Sequence, residues 1–441
     1  MKKLFSLLLA LMLASSMLGA LAEAPVEIYF LNFKPEIATV YEEIAKAYEA
    51  ATGVKVNVMT AASGTYEQTL RSEVAKADAP TIFQINGPVG LTSWKDYCLD
   101  LSGTAFYEML SDKSLAVKDG DKVCGIPYVV EGYGIIYNNA IMNKYFASAN
   151  KATAFTSMDE VNNFAALKLV VEDMTALKDE LGIQGVFAST SMAAGEQWRW
   201  QTHLLNLPLF YEFSDMGGDT VLSGLAANEI GFTYGENYKN IFDLYTNNSV
   251  TAKGLLSNKT VNDSMAEFAL GQCAMVQNGN WGASQILGVA GNTVANEDIK
   301  FMPIYTGVEG EETQGLCIGT ENYLCINSQV SPEKQQASID FLVWLYSSEE
   351  GKAYVKNDLM FLAPFNTFED DEKPEDPLSK EVLRWMEKEG VNSVQWTFAA
   401  FPSEEFKNYV GDALLEYLQG SMDWEGVHQV VVDSWKSERA L

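Results

Sequence analysis

Short apolar runs alternate with helical patterns in the N-terminal part of the chain. Val26–Leu31, Val54–Met59 and Thr81–Ile85 are rich in β-branched and aromatic residues, which predicts three buried β-strands. Between these runs, Glu36–Ala51 and Thr65–Ala77 carry apolar residues at helical spacing. Connections of this length favour right-handed crossovers between parallel strands. The pattern therefore predicts an α/β fold built on a parallel sheet.

In such a sheet, ligands bind in the crevice beyond the carboxyl ends of the strands. The loops that follow strands are therefore the first candidates for a binding site. Lys34 follows the first predicted strand, Tyr66 follows the second, and Asn86 follows the third. Each residue is ordinary by itself, but the three loops should meet at one edge of the sheet. We predict that Lys34, Tyr66 and Asn86 contact a ligand.

A carboxylate interrupts the apolar segment Gly125–Asn139 (GIPYVVEGYGIIYNN). A carboxylate in such surroundings needs a partner, and Glu131 is followed by Gly132 and Gly134, which give the backbone freedom. At a crossing between domains, this carboxylate can accept hydrogen bonds from sugar hydroxyls. The alternatives are an internal salt bridge or an exposed glutamate on an edge strand.

The segment Phe268–Trp281 (FALGQCAMVQNGNW) runs from a helix-like stretch through a short apolar strand into an Asn-Gly-Asn turn that ends on a tryptophan. An indole face can lie against the C–H face of a sugar ring while polar groups bond the hydroxyls. Trp281 and Asn278 are therefore predicted to bind ligand, and a core tryptophan after a buried strand is the alternative. Glu196–Gln201 (EQWRWQ) fits either a binding segment or an amphipathic helix whose tryptophans are core.

The alternation of strands and helices continues in the C-terminal half. Ile299–Tyr305 and Tyr323–Asn327 are predicted strands. Pro332–Tyr346 begins with a Ser-Pro pair that is typical of a helix N-terminus. Glu404–Leu418 and Asp423–Trp435 are predicted helices because their apolar residues recur at the helical period.

Composition and charge narrow the class of protein. The 441 residues are 47% hydrophobic and 12% aromatic, enough for large cores and too many for one ordinary domain, so two domains are expected. Acidic residues outnumber basic residues 59 to 30, which gives a formal net charge of −29. A strongly negative surface repels phosphate backbones and anionic lipids, so we predict that nucleic acid is not a partner.

The N-terminus has the pattern of a secretory signal peptide. Two lysines precede the apolar run Leu4–Leu13, and Ala20-Leu21-Ala22 is a peptidase-type site. We predict cleavage after Ala22 and a secreted, extracytoplasmic protein, whereas an uncleaved N-terminal membrane anchor is the alternative. The first cysteine is Cys98, so the predicted junction has no lipobox cysteine.

Cysteine and histidine content bears on metal and redox chemistry. The five cysteines form no CxxC pair, and the chain has only two histidines, so we predict no metal site and no cofactor. In an oxidising compartment Cys98 could pair with Cys124, or Cys317 with Cys325. Buried free thiols fit the sequence at least as well.

Three segments in this order resemble family 1 of the extracellular solute-binding proteins, which feed sugar importers of the ATP-binding-cassette (ABC) type and include maltose-binding protein. They are Gly125–Met142, Phe268–Trp281 and Gly319–Leu345. The resemblance extends over nearly the whole chain after the signal peptide. It implies the two-lobed periplasmic-binding-protein fold of type II, with the ligand cleft between the lobes.

The resemblance also implies a discontinuous domain layout. After a signal peptide at residues 1–22, lobe 1 would comprise 23–135 and 303–350, and lobe 2 would comprise 136–302 and 351–441. The chain would cross between the lobes near Tyr133 to Asn138, near Phe301 to Tyr305 and near Glu349 to Gly351.

Site residues follow from the same resemblance. In this family the acidic residue of the PYxxE segment touches sugar and the tryptophan of the NGxW turn stacks on a sugar ring, which implies these roles for Glu131 and Trp281. Further aromatic residues come from the middle of the second lobe and from the segment before the C-terminal helices. Trp198 and Trp396 are the corresponding residues here.

The resemblance implies that the protein binds a ligand and catalyses no reaction. Open lobes would bind a carbohydrate, an oligosaccharide by preference, close on it and deliver it to the permease subunits of an ABC importer. The protein would be a monomer and not an enzyme. The alternative is a secreted glycoside hydrolase, which uses two carboxylates about 5 to 10 Å apart. The sequence shows no second acidic residue placed as Glu131 is.

Overall fold

The computed structural model describes residues 26–61, 63–189, 191–320 and 322–440. The predicted signal peptide, with its cleavage after Ala22, lies outside the described residues. In the described part of the chain the strands form two sheets, and separate apolar cores pack against each sheet. We refer to the first sheet with its helices as lobe 1 and to the second as lobe 2.

The sheet of lobe 1 contains six strands. They are β1 (Glu27–Asn32), β2 (Lys55–Thr60), β3 (Ile82–Asn86), β4 (Val117–Asp119), β5 (Lys122–Pro127) and β10 (Asn322–Ile326), in the spatial order β2-β1-β3-β10-β5-β4. As predicted, β1 pairs in parallel with β2 and β3. β10 pairs antiparallel with β3 and with β5. The sheet is therefore mixed, because a strand from late in the chain inserts beside the parallel strands.

Helix α1, Ala38–Thr52, shows why this region folds as its sequence predicts. Tyr41 and Tyr48 are buried on one face of the helix, and the Tyr41 ring packs edge-on against Phe30 of β1 with centroids 5.0 Å apart. The helix ends at Gly53, where a φ of +77° suits a residue without Cβ. Local pattern and tertiary packing agree in this unit.

The sheet of lobe 2 is built around one central strand, β6 (Glu131–Asn138), all of whose residues are buried. It pairs antiparallel with β7 (Met275–Gly279), β8 (Ile299–Met302) and β9 (Gln314–Gly319), and β9 pairs in parallel with β11 (Asn392–Gln395). The predicted strand Ile299–Tyr305 is thus observed as the shorter β8.

The chain changes sheet inside segments that look continuous in sequence. β5 belongs to lobe 1 and β6 to lobe 2, so one change falls at residues 128–130, within the apolar segment Gly125–Asn139. β9 ends in lobe 2 and β10 begins in lobe 1 only three residues later. The sequence placed the first crossing near Tyr133 to Asn138, residues that here belong to the sheet of lobe 2. The predicted lobe boundaries at 135, 303 and 350 stay a prediction.

Helices pack around both sheets. In chain order, α1 to α17 span Ala38–Thr52, Ser63–Glu73, Gly87–Trp94, Ala105–Met109, Asn139–Ala147, Phe164–Ala176, Lys178–Leu181, Asn206–Asp215, Thr220–Ala226, Gly235–Asn247, Val261–Ala269, Ala283–Leu287, Pro332–Ser347, Glu349–Asn357, Pro377–Met386, Glu404–Gln419 and Trp424–Arg439. The two predicted C-terminal helices are confirmed as α16 and α17. Over the described ranges, no helix combines the length and apolarity that a membrane crossing requires.

All five cysteines are buried free thiols. Cys98, Cys124 and Cys325 share one apolar cluster of lobe 1, whereas Cys317 lies in β9 of lobe 2. Burial raises the pKa of the Cys317 thiol to about 12, which keeps the reactive thiolate scarce. Of the possibilities that the sequence left open, free thiols are the one observed.

Candidate ligand-binding site

A cavity of about 430 Å³ lies between the facing edges of the two lobes. Lobe 1 contributes residues 33–36, Tyr66, Glu67, Asn86 and Asn322, and lobe 2 contributes Glu131, residues 195–199 and 201–203, Val261, Asn262, Trp281, Gln285, Glu404, Lys407 and Asn408. On the side of lobe 1, the cavity sits beyond the carboxyl ends of the parallel strands, where sheets of this kind bind ligands.

Six of the eight predicted binding residues line this cavity: Lys34, Tyr66, Asn86, Glu131, Trp198 and Trp281. They come from segments far apart in sequence, and the rule for strand ends predicted three of them, Lys34, Tyr66 and Asn86. The other two, Asn278 and Trp396, are not among the lining residues.

Trp281 is presented by a tight turn at the end of β7. Gly279 ends that strand, and a Cβ added there would collide with the Trp281 ring, so the indole folds directly over the glycine backbone. The Trp281 ring also lies 5.2 Å from the His203 ring and 6.1 Å from the Trp198 ring, centroid to centroid. Within the described residues its Nε1–H has no partner. The turn thus delivers an indole with an unused donor to the cavity.

Trp396 and Asn278 are buried behind this indole. Trp396 is 3% exposed and meets Trp281 edge-on, with centroids 6.3 Å apart at 85°. The side-chain amide of Asn278 donates to the sulfur of Met265 at 3.2 Å. Both side chains therefore support the turn that carries Trp281. The geometry gives no support to the ligand contacts predicted for them.

A π-helix, Arg199–Leu204, forms part of the lobe 2 wall. π-helical turns are rare and often occur at functional sites. Here the turn places Arg199, Gln201 and His203 on the cavity, directly after Trp198. The sequence left open whether the two tryptophans of this segment are core. Trp198 lines the cavity, whereas Trp200 is fully buried in the core of lobe 2.

Burial shifts the pKa of two bases in this wall. Desolvation lowers the pKa of Arg199 to about 9, and the nearby carboxylate of Glu196 opposes that shift. The pKa of His203 is held well below its usual range by burial and by the positive charges of Arg199 and Lys407. At neutral pH, Arg199 is therefore charged and His203 is neutral.

Glu131 forms a buried ion pair with Lys34 across the two lobes. Its Oε1 lies 2.6 Å from the Lys34 Nζ, and the two residues are only 2% and 6% exposed. Burial raises the pKa of Glu131, and the Lys34 ammonium opposes that rise. Lys34 also lies 3.7 Å from Glu36. Of the alternatives left open for Glu131, the internal salt bridge is observed, and it lies on the cavity wall.

Two asparagines from neighbouring strands face the cavity from lobe 1. Asn86 ends β3, Asn322 begins β10, and the two are register partners. Within the described part of the chain, Asn86 Oδ1 and Asn322 Nδ2 have no hydrogen-bond partner. A hydroxyl can donate to the first and accept from the second. Tyr66 differs, since its hydroxyl already donates to the Leu31 carbonyl at 3.3 Å and accepts from the Gln84 N–H at 2.7 Å.

Acidic residues are numerous in this cavity. Five glutamates line it: Glu36, Glu67, Glu131, Glu196 and Glu404. Glu131 alone among these five lies on a strand, whereas loops and helices supply the other four, whose presence in the cleft strand patterns do not reveal. Each carboxylate already has a donor or cation within the protein. This arrangement does not single out a catalytic acid and nucleophile. Over the described residues, no group of three or more His, Cys, Asp or Glu side chains could hold a metal ion.

The sequence of this chain matches a known protein family. Residues 43–400 match the family described as bacterial extracellular solute-binding protein, and that span is well over half of the chain. The chain belongs to this family. Because the members of this family are extracellular binding proteins, this solute-binding protein is located outside the cytoplasm. Among curated proteins, none matches the chain.

Solved structures share the fold of this solute-binding protein at low sequence identity. A chitin oligosaccharide binding protein is 16% identical with a TM-score of 0.69, over 95% of this chain and 100% of that chain. RafE in complex with raffinose is 16% identical with a TM-score of 0.69, over 94% and 100%. A Bacillus licheniformis sugar transporter protein in complex with stachyose is 14% identical with a TM-score of 0.69, over 94% and 100%. The two-lobed α/β fold predicted from the sequence is confirmed.

Proposed function

We propose that this solute-binding protein captures an oligosaccharide between its lobes and delivers it to the permease of an ABC importer. The observation that carries the proposal is the pairing of two kinds of surface in one cavity. The indoles of Trp198 and Trp281 face it from lobe 2, and the unused amide atoms of Asn86 and Asn322 face it from lobe 1. A sugar ring has an apolar C–H face and a rim of hydroxyls, so it matches both surfaces at once.

The close approach of the lobes supports capture by closure. The Lys34–Glu131 pair joins them at 2.6 Å. At a second point, a Cβ added to Gly87 would lie 3.5 Å from the Cβ of Ala399. A ligand in the cavity would be surrounded by both lobes, so it enters and leaves when they separate. Closed, loaded lobes present a permease with a shape that the open, empty receptor lacks.

Membership in a solute-binding family and the cargo named for proteins of the same fold support a carbohydrate ligand. Those names include a chitin oligosaccharide, raffinose and stachyose. Because a transport receptor must release what it captures, we expect a Kd of about 1 μM, equivalent to about −8 kcal/mol. We also propose that the protein is exported with cleavage after Ala22, and that it acts as a monomer without enzymatic activity.

Thermal unfolding tests this function directly. Residues 23–441 would be unfolded in the presence of oligosaccharides, amino acids and polyols, each followed by an assay for released reducing ends. A ligand at a hundred times its Kd should add about 2.7 kcal/mol to the free energy of unfolding. We expect an upward shift with one class of saccharide and no cleavage.

The variants Trp281→Ala and Trp344→Ala make the test specific to the cavity. Trp344 is a partly buried tryptophan of α13 that packs on Tyr48, away from the site. At the same ligand concentration, the saccharide-dependent shift should be clearly smaller in Trp281→Ala and unchanged in Trp344→Ala. A shift with amino acids alone would refute the carbohydrate assignment, and release of reducing ends would indicate a glycoside hydrolase.

A further inference from the structure

Within the described residues, one charged side chain in the cavity wall has neither a hydrogen bond nor an ion pair to its charged group. Arg199 is 2% exposed, and within the described residues none of its three guanidinium nitrogens makes a hydrogen bond. Its pKa, lowered by burial to about 9, still leaves it charged at neutral pH. A buried charge without a partner is strongly unfavourable. Such a residue needs a compensating group that comes from elsewhere.

The other charges that line the cavity are already engaged. Lys34 pairs with both Glu131 and Glu36, at 2.6 and 3.7 Å. Lys407 pairs with Glu404 at 2.6 Å.

The remaining two carboxylates accept hydrogen bonds from neutral donors. Glu67 accepts from the indole N–H of Trp94 at 3.1 Å, and Glu196 accepts from the backbone N–H of Val261 at 3.0 Å. Because the carboxylates outnumber the cations, the cavity as a whole repels anions. Among the described residues that line the cavity, Arg199 is therefore the one cation without an ion pair, and a ligand anion would gain its positive charge.

Arg199 lies where it could contact a substituent of a sugar ring that is stacked on Trp198. Its guanidinium lies 3.9 Å from the centroid of the Trp198 ring, which itself lines the cavity. Arg199 and Glu36, from opposite lobes, line the same cavity. Beside it, a separate void of about 10 Å³ has room for one water at most. A larger anionic group must come from the main cavity.

Resting on the proposed function, we infer that the oligosaccharide is acidic and that Arg199 binds the carboxylate of a uronic acid residue in it. A guanidinium can donate two parallel hydrogen bonds to a carboxylate, a geometry that a neutral hydroxyl cannot use. The uronate ring would stack on the indoles of Trp198 and Trp281 while its carboxylate meets Arg199. The negative surroundings would then fix the carboxylate at this single point.

The binding test compares uronate oligosaccharides with their methyl esters, which keep the ring and lose the charge. Digalacturonate, dimannuronate and glucuronate-bearing xylobiose would each be titrated beside the ester at constant ionic strength. The parent should bind the cognate acid at least about tenfold more tightly than its ester. This ratio should fall to about one in Arg199→Met, and Arg199→Lys should keep part of it. Arg384→Met, which removes a surface arginine paired with Glu381, should leave the ratio unchanged.

A second readout needs no ligand. Because the Arg199 guanidinium has no hydrogen bond or ion pair among the described residues, Arg199→Met should raise the Tm of the ligand-free protein by about 2 °C or more. Arg384→Met should not raise it. A lower Tm for Arg199→Met would mean that the arginine is structural and would overturn the inference.

The remaining outcomes are also decisive. Equal binding of acid and ester, or preference for neutral saccharides, would overturn the inference and leave the proposed function intact. Stabilisation of the parent by chloride alone, lost in Arg199→Met and not displaced by uronates, would overturn it in favour of an inorganic anion. No shift with any saccharide, acidic or neutral, would refute the proposed carbohydrate function and the inference with it.

Discussion

The two walls of the cavity are built by different means. The lobe 1 wall includes two asparagines at the ends of regular strands, Asn86 at the end of β3 and Asn322 at the start of β10. In the lobe 2 wall, the indole of Trp281 and the guanidinium of Arg199 are carried by irregular backbone. Trp281 comes from a turn folded over Gly279, and Arg199 comes from a π-helix. Regular strand ends thus supply hydrogen-bonding groups, and distorted backbone supplies the surfaces for stacking.

This difference indicates that the two walls depend on different kinds of structural support. Amide groups fixed on a sheet hold their positions without help from neighbouring side chains. Indoles need support from behind, and here Trp396 and Tyr133 provide it, with ring centroids 6.3 and 6.4 Å from that of Trp281. We expect damage to the lobe 2 wall to spread through its packing, and damage to the lobe 1 wall to stay local.

The largest expected effect comes from the ion pair that joins the two walls. Lys34→Met leaves Glu131 and Glu36 without their shared cation, and breaking a buried pair costs about 3–5 kcal/mol. Glu131→Gln should cost less, because Lys34 keeps Glu36. Chemical denaturation of both variants measures this asymmetry. Equal losses would show that Glu36 does not compensate.

The pH dependence of that loss sharpens the test. The pKa of Glu131 is raised by burial and would rise further without Lys34. A carboxyl group with a raised folded pKa contributes stability below its unfolded pKa of about 4.3 and loses it as pH rises through the folded pKa. The deficit of Lys34→Met relative to the parent should therefore be largest near pH 7 and shrink toward pH 4. A deficit that grows on acidification would contradict the assigned pair.

Removal of the Trp281 indole takes away a stacking surface of the lobe 2 wall. Trp281→Ala should weaken saccharide binding by about 1–3 kcal/mol, because a large apolar surface no longer covers the ring. Isothermal titration of this variant against the parent gives the value. Unchanged affinity would mean that Trp281 is not part of the binding site.

A smaller substitution tests the turn itself. In Gly279→Ala the new Cβ would collide with the Trp281 ring, which must move, and we expect a loss of about 1–3 kcal/mol in the free energy of unfolding. Gly254→Ala is a matched control in the same lobe, since a Cβ there meets nothing within 4 Å. Saccharide affinity should fall only in Gly279→Ala. If both variants behave alike, the close approach is not what positions the indole.

The lobe 1 wall should give the smallest and most local effect. Asn322→Ala removes one hydrogen-bonding group, worth about 1 kcal/mol of binding, with little change in the free energy of unfolding because its Nδ2 has no partner among the described residues. Asn57→Ala, in β2 and remote from the cavity, is the control. A large loss of stability in Asn322→Ala would show that the asparagine is structural.

Much of lobe 1 was predictable because its signals are local. Strand and helix periods gave the order of the first parallel unit, and the rule for strand ends found Lys34, Tyr66 and Asn86. Asn322 was missed because β10 runs antiparallel to β3, which brings the start of that strand to the binding edge. Nothing in the pattern of a single strand reveals its direction in a sheet.

The parts of lobe 2 that escaped prediction depend on distant contacts. The apolar run Gly125–Asn139 has no turn signal at residues 128–130, yet the chain changes sheet there because its two halves pair with different partners. Trp281 was found because its turn has a local signature. Trp396 carries the same kind of ring, but packing against Trp281 and Gly319 places it behind the wall. Arg199 was visible in the sequence, but the sequence could not show that its guanidinium has no hydrogen bond among the described residues.

The cluster of rings around Trp281 has an optical consequence. Of the nine tryptophans, Trp198, Trp281 and Trp396 lie within 6.3 Å of a neighbouring indole, and two of these three line the cavity. Indole emission responds to the polarity and motion around the ring, so a ligand pressed against this cluster should change the intrinsic fluorescence. Trp344, remote in lobe 1, supplies a constant background. The unlabelled protein should therefore report its own loading in real time.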